Sequence, residues 1–237
     1  MSCGLIVEVP ASCRFCGGGA AGSAPQSLQG SCRFGRNVAS LEGVLMPKTS
    51  GSGQARTLTP EQLDQLLDAA PAPEHRALWS IMRWTGSRVS ETLALRWGAI
   101  HEERIVFTAA STKTKTTREP LIAPRLQREL LEWRIEWAAR HGRHPGPRDW
   151  VFPGRWMNEP MTRQWADRVL RATLNDAQFP SGCSLHTFRR SLATTMANGG
   201  ASLKTVCRFT GHRSLQQLAA YIDVATADER AALASLG

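Results

Sequence analysis

The sequence predicts a mainly α-helical domain with a small antiparallel β-sheet of about three strands. Apolar residues recur at three- and four-residue spacing in several segments, and helix start signals stand directly before some of them. Between two of these segments lie two short strand-like runs, residues 104–107 and 118–122, joined by a polar, threonine-rich link. Such a link is typical of a β-hairpin connection.

The first predicted helix begins after Thr59, which is suited to cap it, with Pro60 at the first helical position and Gln62 completing a capping box. Pro71 and Pro73 are expected to end this helix, because proline breaks a helix interior. Further helices are predicted over residues 75–84, about 87–97, 124–140, about 162–176 and from 186 to 198, then as two short helices capped by Ser202 and Ser214, and finally after the capping box at Thr226.

The chain contains eight tryptophans, whose rings would suit base stacking if they were exposed. Trp133 and Trp137, however, stand at helical spacing with Leu126 and Leu130, a pattern typical of a buried helix face. We therefore assign the tryptophans to packing.

The composition changes near residue 56. Residues 1–56 are rich in Gly, Ser, Ala and Cys, without sustained periodicity, and cannot bury enough apolar surface to offset the entropy of ordering. We predict a disordered tail over 1–56 and an ordered domain over 57–237.

The charge balance indicates a polyanionic partner. The formal net charge is +9 and the pI is near 10.0. The tail carries five basic and two acidic side chains, which leaves about +6 on the rest of the chain. Charge alone suits DNA, RNA or a membrane surface equally. No stretch approaches the ~20 apolar residues of a membrane span, and no secretory signal is visible, so a cytoplasmic setting is expected.

Two groups of residues contain possible metal ligands, but neither completes a recognised metal site. Cys3, Cys13, Cys16 and Cys32 are four possible zinc ligands, but no second CxxC pair or histidine completes a recognised spacing. His141 and His144 lie three apart in a Gly/Pro-rich stretch without further ligands. We expect no metal and no cofactor.

The most informative stretch runs from His186 to Tyr221. His186 and Arg189 are three apart, so on a helix they share one face and can point at one small anion. His212 follows Gly211, and nine residues later comes Tyr221, the one tyrosine among 237 residues. A tyrosine nucleophile in this chain has no other candidate.

Upstream, Arg88 and Glu91 stand in the segment TGSRVSE, and two lysines, Lys113 and Lys115, stand in the hairpin link. The order Arg, Lys, His-x-x-Arg, Gly-His, Tyr resembles the tyrosine recombinase (phage integrase) family over about residues 57–230. This resemblance implies the catalytic-domain fold of that family and a site-specific recombinase that cleaves and rejoins DNA through a 3′-phosphotyrosyl intermediate, as in a mobile-element integrase or an inversion enzyme.

The resemblance also implies roles for the residues. Tyr221 is the nucleophile, Arg88 and Arg189 clamp the phosphate, and His212 is a further donor. Arginine suits this task because its planar fork donates two hydrogen bonds and keeps its charge. His186 assists proton transfer around the tyrosine.

The remaining roles concern the leaving group and the DNA. Lys113 is the general acid for the leaving 5′-oxygen, with Lys115 as the alternative because hairpin registers slip, and Glu91 orients neighbouring basic groups. Four residues are expected to contact DNA: Lys115, Arg118, Arg190 and Arg213. The partners implied are double-stranded DNA and further copies of the chain, as a tetramer on DNA.

The chain departs from the family pattern in two ways. Arg190 stands where many members carry histidine, which adds charge without removing a catalytic group. The tail does not resemble the helical DNA-clamp domain that usually precedes the catalytic domain. One alternative is therefore a truncated remnant that binds DNA without catalysis. An RNA-binding protein is a further alternative, although no RRM or KH signature is present.

Overall fold

The computed structural model of the chain describes residues 54–110, 112, 116–212 and 214–219. The mainly helical fold class is confirmed for these residues. They form α1 (Pro60–Asp68), α2 (Pro73–Thr85), α3 (Val89–Leu93), α4 (Pro124–His141), α5 (Arg163–Asp176), α6 (Leu185–Asn198), α7 (Leu203–Thr210) and α8 (Leu215–Ala219), with a 3₁₀ turn at Trp97–Ala99.

The start of α1 is formed as the sequence predicts. Gln62 N–H donates to Thr59 Oγ1 at 3.3 Å, and Thr59 N–H donates to Gln62 Oε1 at 3.0 Å, which completes the capping box. The prediction for Pro73 is wrong: α1 ends at Asp68, and Pro73 is the first residue of α2. Proline is favoured there because the N–H it lacks would have no partner within the helix.

The helix predicted over about 87–97 is much shorter in the structure. It ends at Leu93, and the 3₁₀ turn follows at Trp97–Ala99. Between them the backbone pairs with a distant segment: Val151 N–H donates to Leu95 O, and Trp97 N–H donates to Asp149 O, each at 3.0 Å. This long-range pairing replaces the helical hydrogen bonds that local periodicity predicts.

The two strand-like runs pair in antiparallel fashion. Phe107 N–H donates to Arg118 O at 2.9 Å, Arg118 N–H donates back to Phe107 O at 3.1 Å, and a second bridge joins Arg104 to Leu121. Within the described part of the chain these contacts are isolated β-bridges and do not form continuous strands. The three-stranded sheet therefore stays a prediction.

Helix α2 lies at the centre of the core and packs against α1, α3, α4 and α6. Trp79 on α2 stacks on Phe188 of α6 with ring centroids 6.3 Å apart. Trp133 on α4 stacks on Phe152 at 6.4 Å, and its indole N–H donates to Val151 O at 2.9 Å. The assignment of these tryptophans to packing is confirmed.

Two other tryptophans contradict that assignment. Trp156 is 73% exposed and Trp165 is 46% exposed. Trp156 lies in a loop closed by the Gly154 N–H to Glu159 O hydrogen bond of 2.7 Å, with the Arg155 guanidinium 5.0 Å from its ring centroid. Trp165 lies in the first turn of α5, on a face that the core does not cover.

The described chain begins beside α6. Arg56 N–H donates to Gly182 O at 2.9 Å, and Leu58 N–H donates to Ser191 Oγ at 2.8 Å. The first 53 residues of the predicted tail, with their four cysteines, and the predicted helix after Thr226 lie outside the described residues. Of the helices described, none has both the length and the apolar character that crossing a bilayer requires.

Candidate active site

The turn that follows α2 places Arg88. Gly86 adopts the left-handed conformation (φ 60°) and its N–H donates to Met82 O, which ends the helix. Buried hydroxyls brace the turn: Thr85 Oγ1 donates to Ile81 O at 2.6 Å, and Thr85 lies 3.0 Å from Ser87 Oγ. Arg88 then stands at the N-cap position of α3. Its position is fixed by a turn made from buried residues.

Glu91 holds Arg88 in place. Its carboxylate accepts from the Arg88 backbone N–H at 3.0 Å and from Arg88 Nη1 at 2.8 Å. The Glu91 side chain is only 1% exposed. Burial raises the pKa of Glu91, but hydrogen bonds from Arg88 and the charges of Arg118 and Arg88 outweigh it, so the pKa lies below its usual value. Glu91 is therefore ionised at neutral pH and holds Arg88 through two hydrogen bonds; its supporting role in catalysis stays a prediction.

Arg118 connects three segments around this pair. Its Nη2 donates to Glu91 Oε2 at 3.2 Å, and its Nη1 donates to Thr85 O at 2.9 Å and to Phe209 O at 2.8 Å. The Arg118 side chain is 10% exposed. These contacts favour a role in holding the site together over the DNA contact that the sequence suggested for this residue.

Arg189 reaches the same turn from α6. It is 1% exposed, and its Nη1 donates to Gly86 O at 2.6 Å. Gly86 therefore lies between the Arg88 turn and the Arg189 guanidinium. The spacing of His186 and Arg189 does put both on α6, but Arg189 is buried and His186 is exposed.

His212 follows the end of α7 at a tight turn. Gly211 has φ 75°, and a Cβ added there would lie 3.1 Å from Arg118 Cδ, so the close approach of Arg118 favours glycine. Burial, followed by the charges of Arg189, Arg88 and Arg118, lowers the pKa of His212 to about 3. The electrostatic effect of these three cations shows that residues far apart in the sequence lie close to His212 in space.

His186 lines an open cleft of about 380 Å³ between the first turn of α6 and helix α5. Arg163, Asp167 and Arg171 of α5 line the same cleft. His186 is thus exposed and lies in a cleft whose other wall carries two arginines and one aspartate of α5.

The other predicted residues divide into two groups. Arg190 is buried, and its Nη1 donates to the Ala55 carbonyl, which places its charge against the N-terminal segment. Four residues lie outside the described residues: Lys113, Lys115, Arg213 and Tyr221. Their roles stay predictions.

Sequence reasoning did not single out Thr210. It is fully buried, and its hydroxyl lies 2.7 Å from His212 Nδ1. A threonine two residues before a histidine carries no signal in the sequence, because only the turn at Gly211 brings the two side chains together.

The chemistry of this arrangement suits an anionic group. Two arginines and a neutral histidine from three separate segments converge near Gly86, and one buried carboxylate partly balances the charge of the arginines. A phosphate oxygen is the anion that such planar, charged donors suit. In the described part of the chain, no cluster of three His, Cys, Asp or Glu side chains is arranged to hold a metal ion.

Comparison with known proteins assigns these features to one family. Residues 56–228 match the model of the phage integrase family. The tyrosine recombinase XerD of Corynebacterium glutamicum is 28% identical over 204 residues, which are 82% of this chain and 65% of that protein. A putative integrase/recombinase of Sinorhizobium fredii, y4qK, is 26% identical over 170 residues, 71% of this chain and 52% of the relative. The chain spans about half to two thirds of the length of these relatives.

Solved structures share the fold. The XerA recombinase superposes with a TM-score of 0.64 at 17% identity, covering 77% of this chain and 65% of that one. The Tn1549 transposon integrase in complex with circular intermediate DNA gives a TM-score of 0.63 at 20% identity, covering 77% of this chain and 67% of that one.

Proposed function

Because the chain belongs to the phage integrase family, we propose that it is a tyrosine-type site-specific recombinase acting on double-stranded DNA. It cleaves one strand, forms a 3′-phosphotyrosyl link and rejoins that end to a different strand. The observation that carries this proposal is the convergence of Arg88, Arg189 and His212 near one turn of the chain.

In the proposed cleavage step, Tyr221 Oη attacks the phosphorus of a backbone phosphodiester. A bond forms between phosphorus and the tyrosine oxygen, and the bond from phosphorus to the 5′-oxygen of the next nucleotide breaks. The tyrosine proton leaves with help from His186, and the 5′-oxygen receives a proton from Lys113. A free tyrosine has a pKa of ~10, so it needs this help at neutral pH. Rejoining is the same step with a 5′-hydroxyl as the attacking group.

The arginines stabilise the charge that develops on the non-bridging oxygens. Arg88 is oriented by Glu91, and Arg189 is oriented by Gly86 O, so neither guanidinium has to be ordered during the reaction. Preorganised donors of this kind each lower a barrier by about 3–4 kcal/mol.

DNA is the partner that the charge of the chain supports. The net charge of +9 suits a polyanion, and the similar Tn1549 integrase was solved in complex with DNA. Strand exchange between two duplexes requires four cleavages, so we propose a tetramer on DNA. Because its relatives are bacterial proteins, we also propose a cytoplasmic location for the chain.

A nicked suicide substrate tests the proposal. A short fragment lost beyond the nick prevents rejoining, so a covalent protein–DNA complex accumulates and shows as a slower band on a denaturing gel. Substrates are taken from the two ends of the genomic segment that carries the gene. Covalent complex supports the recombinase. DNA binding in a mobility-shift assay without covalent complex on any such substrate would favour the non-catalytic alternative.

A further inference from the structure

Thr210 makes two short polar contacts through one hydroxyl. Its Oγ1 lies 2.7 Å from the Val206 carbonyl oxygen and 2.7 Å from His212 Nδ1. A carbonyl oxygen can only accept, so the single hydroxyl proton goes to Val206 O. The hydroxyl oxygen then accepts from His212, which requires a proton on Nδ1.

We propose that Thr210 is a positioning residue that holds neutral His212 as the Nδ1–H tautomer. This inference rests on the proposed function only for the role of His212 in binding the DNA phosphate. The ring orientation and the tautomer follow from the hydrogen bonds around Thr210, and neither requires DNA.

The position of Thr210 is itself fixed on two sides. A Cβ placed on Gly86 would lie 3.3 Å from Thr210 Cγ2, so the methyl group packs against Gly86, whose carbonyl accepts from Arg189. The backbone of His212 is held as well, because its N–H donates to Cys207 O at 3.1 Å. Thr210 therefore sets the imidazole at a defined place relative to the Arg189 guanidinium.

The tautomer decides what His212 offers to a ligand. With the proton on Nδ1, the Nε2 atom of the neutral ring carries a lone pair and accepts hydrogen bonds. His212 then donates to a phosphate oxygen through Nε2 only after it gains a second proton.

Burial and the nearby arginines lower the pKa of His212 to about 3, so the ring is neutral in the DNA-free protein at pH 7. The negative charge of a bound phosphate favours protonation, and proton uptake should accompany DNA binding.

Nitrogen NMR of the full chain labelled with ¹⁵N-histidine reads the tautomer directly. Protonated and unprotonated ring nitrogens differ in chemical shift, and a His212→Gln variant identifies the signals of His212 among the six histidines. At pH 7 and without DNA we expect a protonated Nδ1 and an unprotonated Nε2. A protonated Nε2 in the wild-type protein would overturn the proposal.

Thr210→Val and Thr210→Ser separate the hydroxyl from the packing. Valine keeps the shape of threonine without the hydroxyl, and serine keeps the hydroxyl. In Thr210→Val we expect His212 to shift towards the Nε2–H tautomer, while Thr210→Ser keeps the wild-type pattern. Thr195→Val, at an exposed position of α6, controls for the loss of a hydroxyl elsewhere. An unchanged His212 spectrum in Thr210→Val contradicts the positioning role.

Cleavage of the suicide substrate gives the second readout. Partners that orient a functional histidine in metal sites contribute about 10- to 100-fold to activity, and we expect a loss of that size in Thr210→Val. Thr210→Ser should recover most of it. Full activity in Thr210→Val would refute the role of Thr210. If instead the wild-type protein shows the Nδ1–H tautomer but forms no covalent complex, the proposed function fails while the structural inference stands.

Discussion

Arg118 Nη2 lies 3.2 Å from Glu91 Oε2, and the other oxygen of the same carboxylate accepts from Arg88 at 2.8 Å. One buried acid thus connects two cations that are 30 residues apart in sequence. Removing one partner from a buried ion pair leaves an uncompensated charge, which costs more than the pair contributes. Glu91 is therefore the residue on which the geometry of the arginine cluster depends.

Glu91→Gln should lower the free energy of unfolding by about 3–5 kcal/mol, because two buried guanidinium groups lose their counter-charge. Urea denaturation followed by circular dichroism measures this. Glu102→Gln, at an exposed position, is the matched control and should change stability by less than about 0.5 kcal/mol. Equal effects of the two substitutions would show that Glu91 does not hold the cluster.

Arg118→Gln should reduce stability by about 3 kcal/mol and leave the salt dependence of DNA binding unchanged, because the Arg118 guanidinium donates to Thr85 O, Phe209 O and Glu91 inside the protein. Lys115→Ala should leave stability unchanged and alter the salt dependence of DNA binding. If Lys115 neutralises one phosphate, its loss makes the negative slope of log affinity against log salt shallower by ~0.9. Binding titrations at several salt concentrations test both.

A salt dependence that becomes as much shallower in Arg118→Gln as in Lys115→Ala would support the DNA contact first predicted for Arg118. It would contradict the view that the three internal hydrogen bonds occupy this guanidinium.

Lys113→Ala should slow cleavage far more than Lys115→Ala if Lys113 is the general acid. A substrate with sulfur in place of the bridging 5′-oxygen should rescue Lys113→Ala, because a thiolate leaves without a proton. Rates on normal and sulfur-substituted suicide substrates measure the effect. Similar defects in both variants, or rescue of Lys115→Ala alone, would reverse the assignment.

The low pKa of His212 predicts a pH dependence of stability. Its folded-state pKa is about 3, against an ordinary value of 6.5. Between these values the unfolded chain binds more protons than the folded chain, so the free energy of unfolding falls as the pH drops from 6.5 towards 3. One histidine contributes at most about 1.4 kcal/mol per pH unit, and partial exposure to solvent reduces this.

His212→Gln removes that contribution, so the free energy of unfolding should decrease less as the pH drops from 6.5 towards 3. His144→Gln, in an exposed loop, is the control and should keep the wild-type slope. Urea denaturation at half-unit pH intervals compares them. Identical slopes in the two variants would mean that His212 is not held neutral by its neighbours.

The sequence predicted the parts of the fold that depend on local signals. The capping box at Thr59 and the helix of His186 and Arg189 are formed as expected, because side chains three residues apart decide them. The end of α3 was missed because the pairing of Leu95 with Val151 joins residues 56 apart. Such contacts leave no periodic pattern near either residue.

In the candidate site, too, the sequence predicted which residues belong together but not the contacts that depend on tertiary structure. The motif order identified Arg88, Glu91, Arg189 and His212, which the structure brings together. It could not show that Arg118 is buried and bonded to two backbone carbonyls, since an arginine beside a basic hairpin suggests a surface contact. Burial depends on the tertiary position of α7, which local sequence does not specify.

Tyr221 is the proposed nucleophile, and the site of covalent attachment tests that role most directly. The wild-type chain and Tyr221→Phe are incubated with the same nicked suicide substrate, and the DNA-linked peptide is identified by mass spectrometry. Phenylalanine keeps the apolar ring and removes one oxygen, so folding should change by no more than about 1 kcal/mol. We predict DNA linked to the peptide containing Tyr221, and no covalent complex in Tyr221→Phe although that variant still binds DNA. Covalent complex that persists in Tyr221→Phe would contradict the tyrosine-recombinase mechanism for this chain.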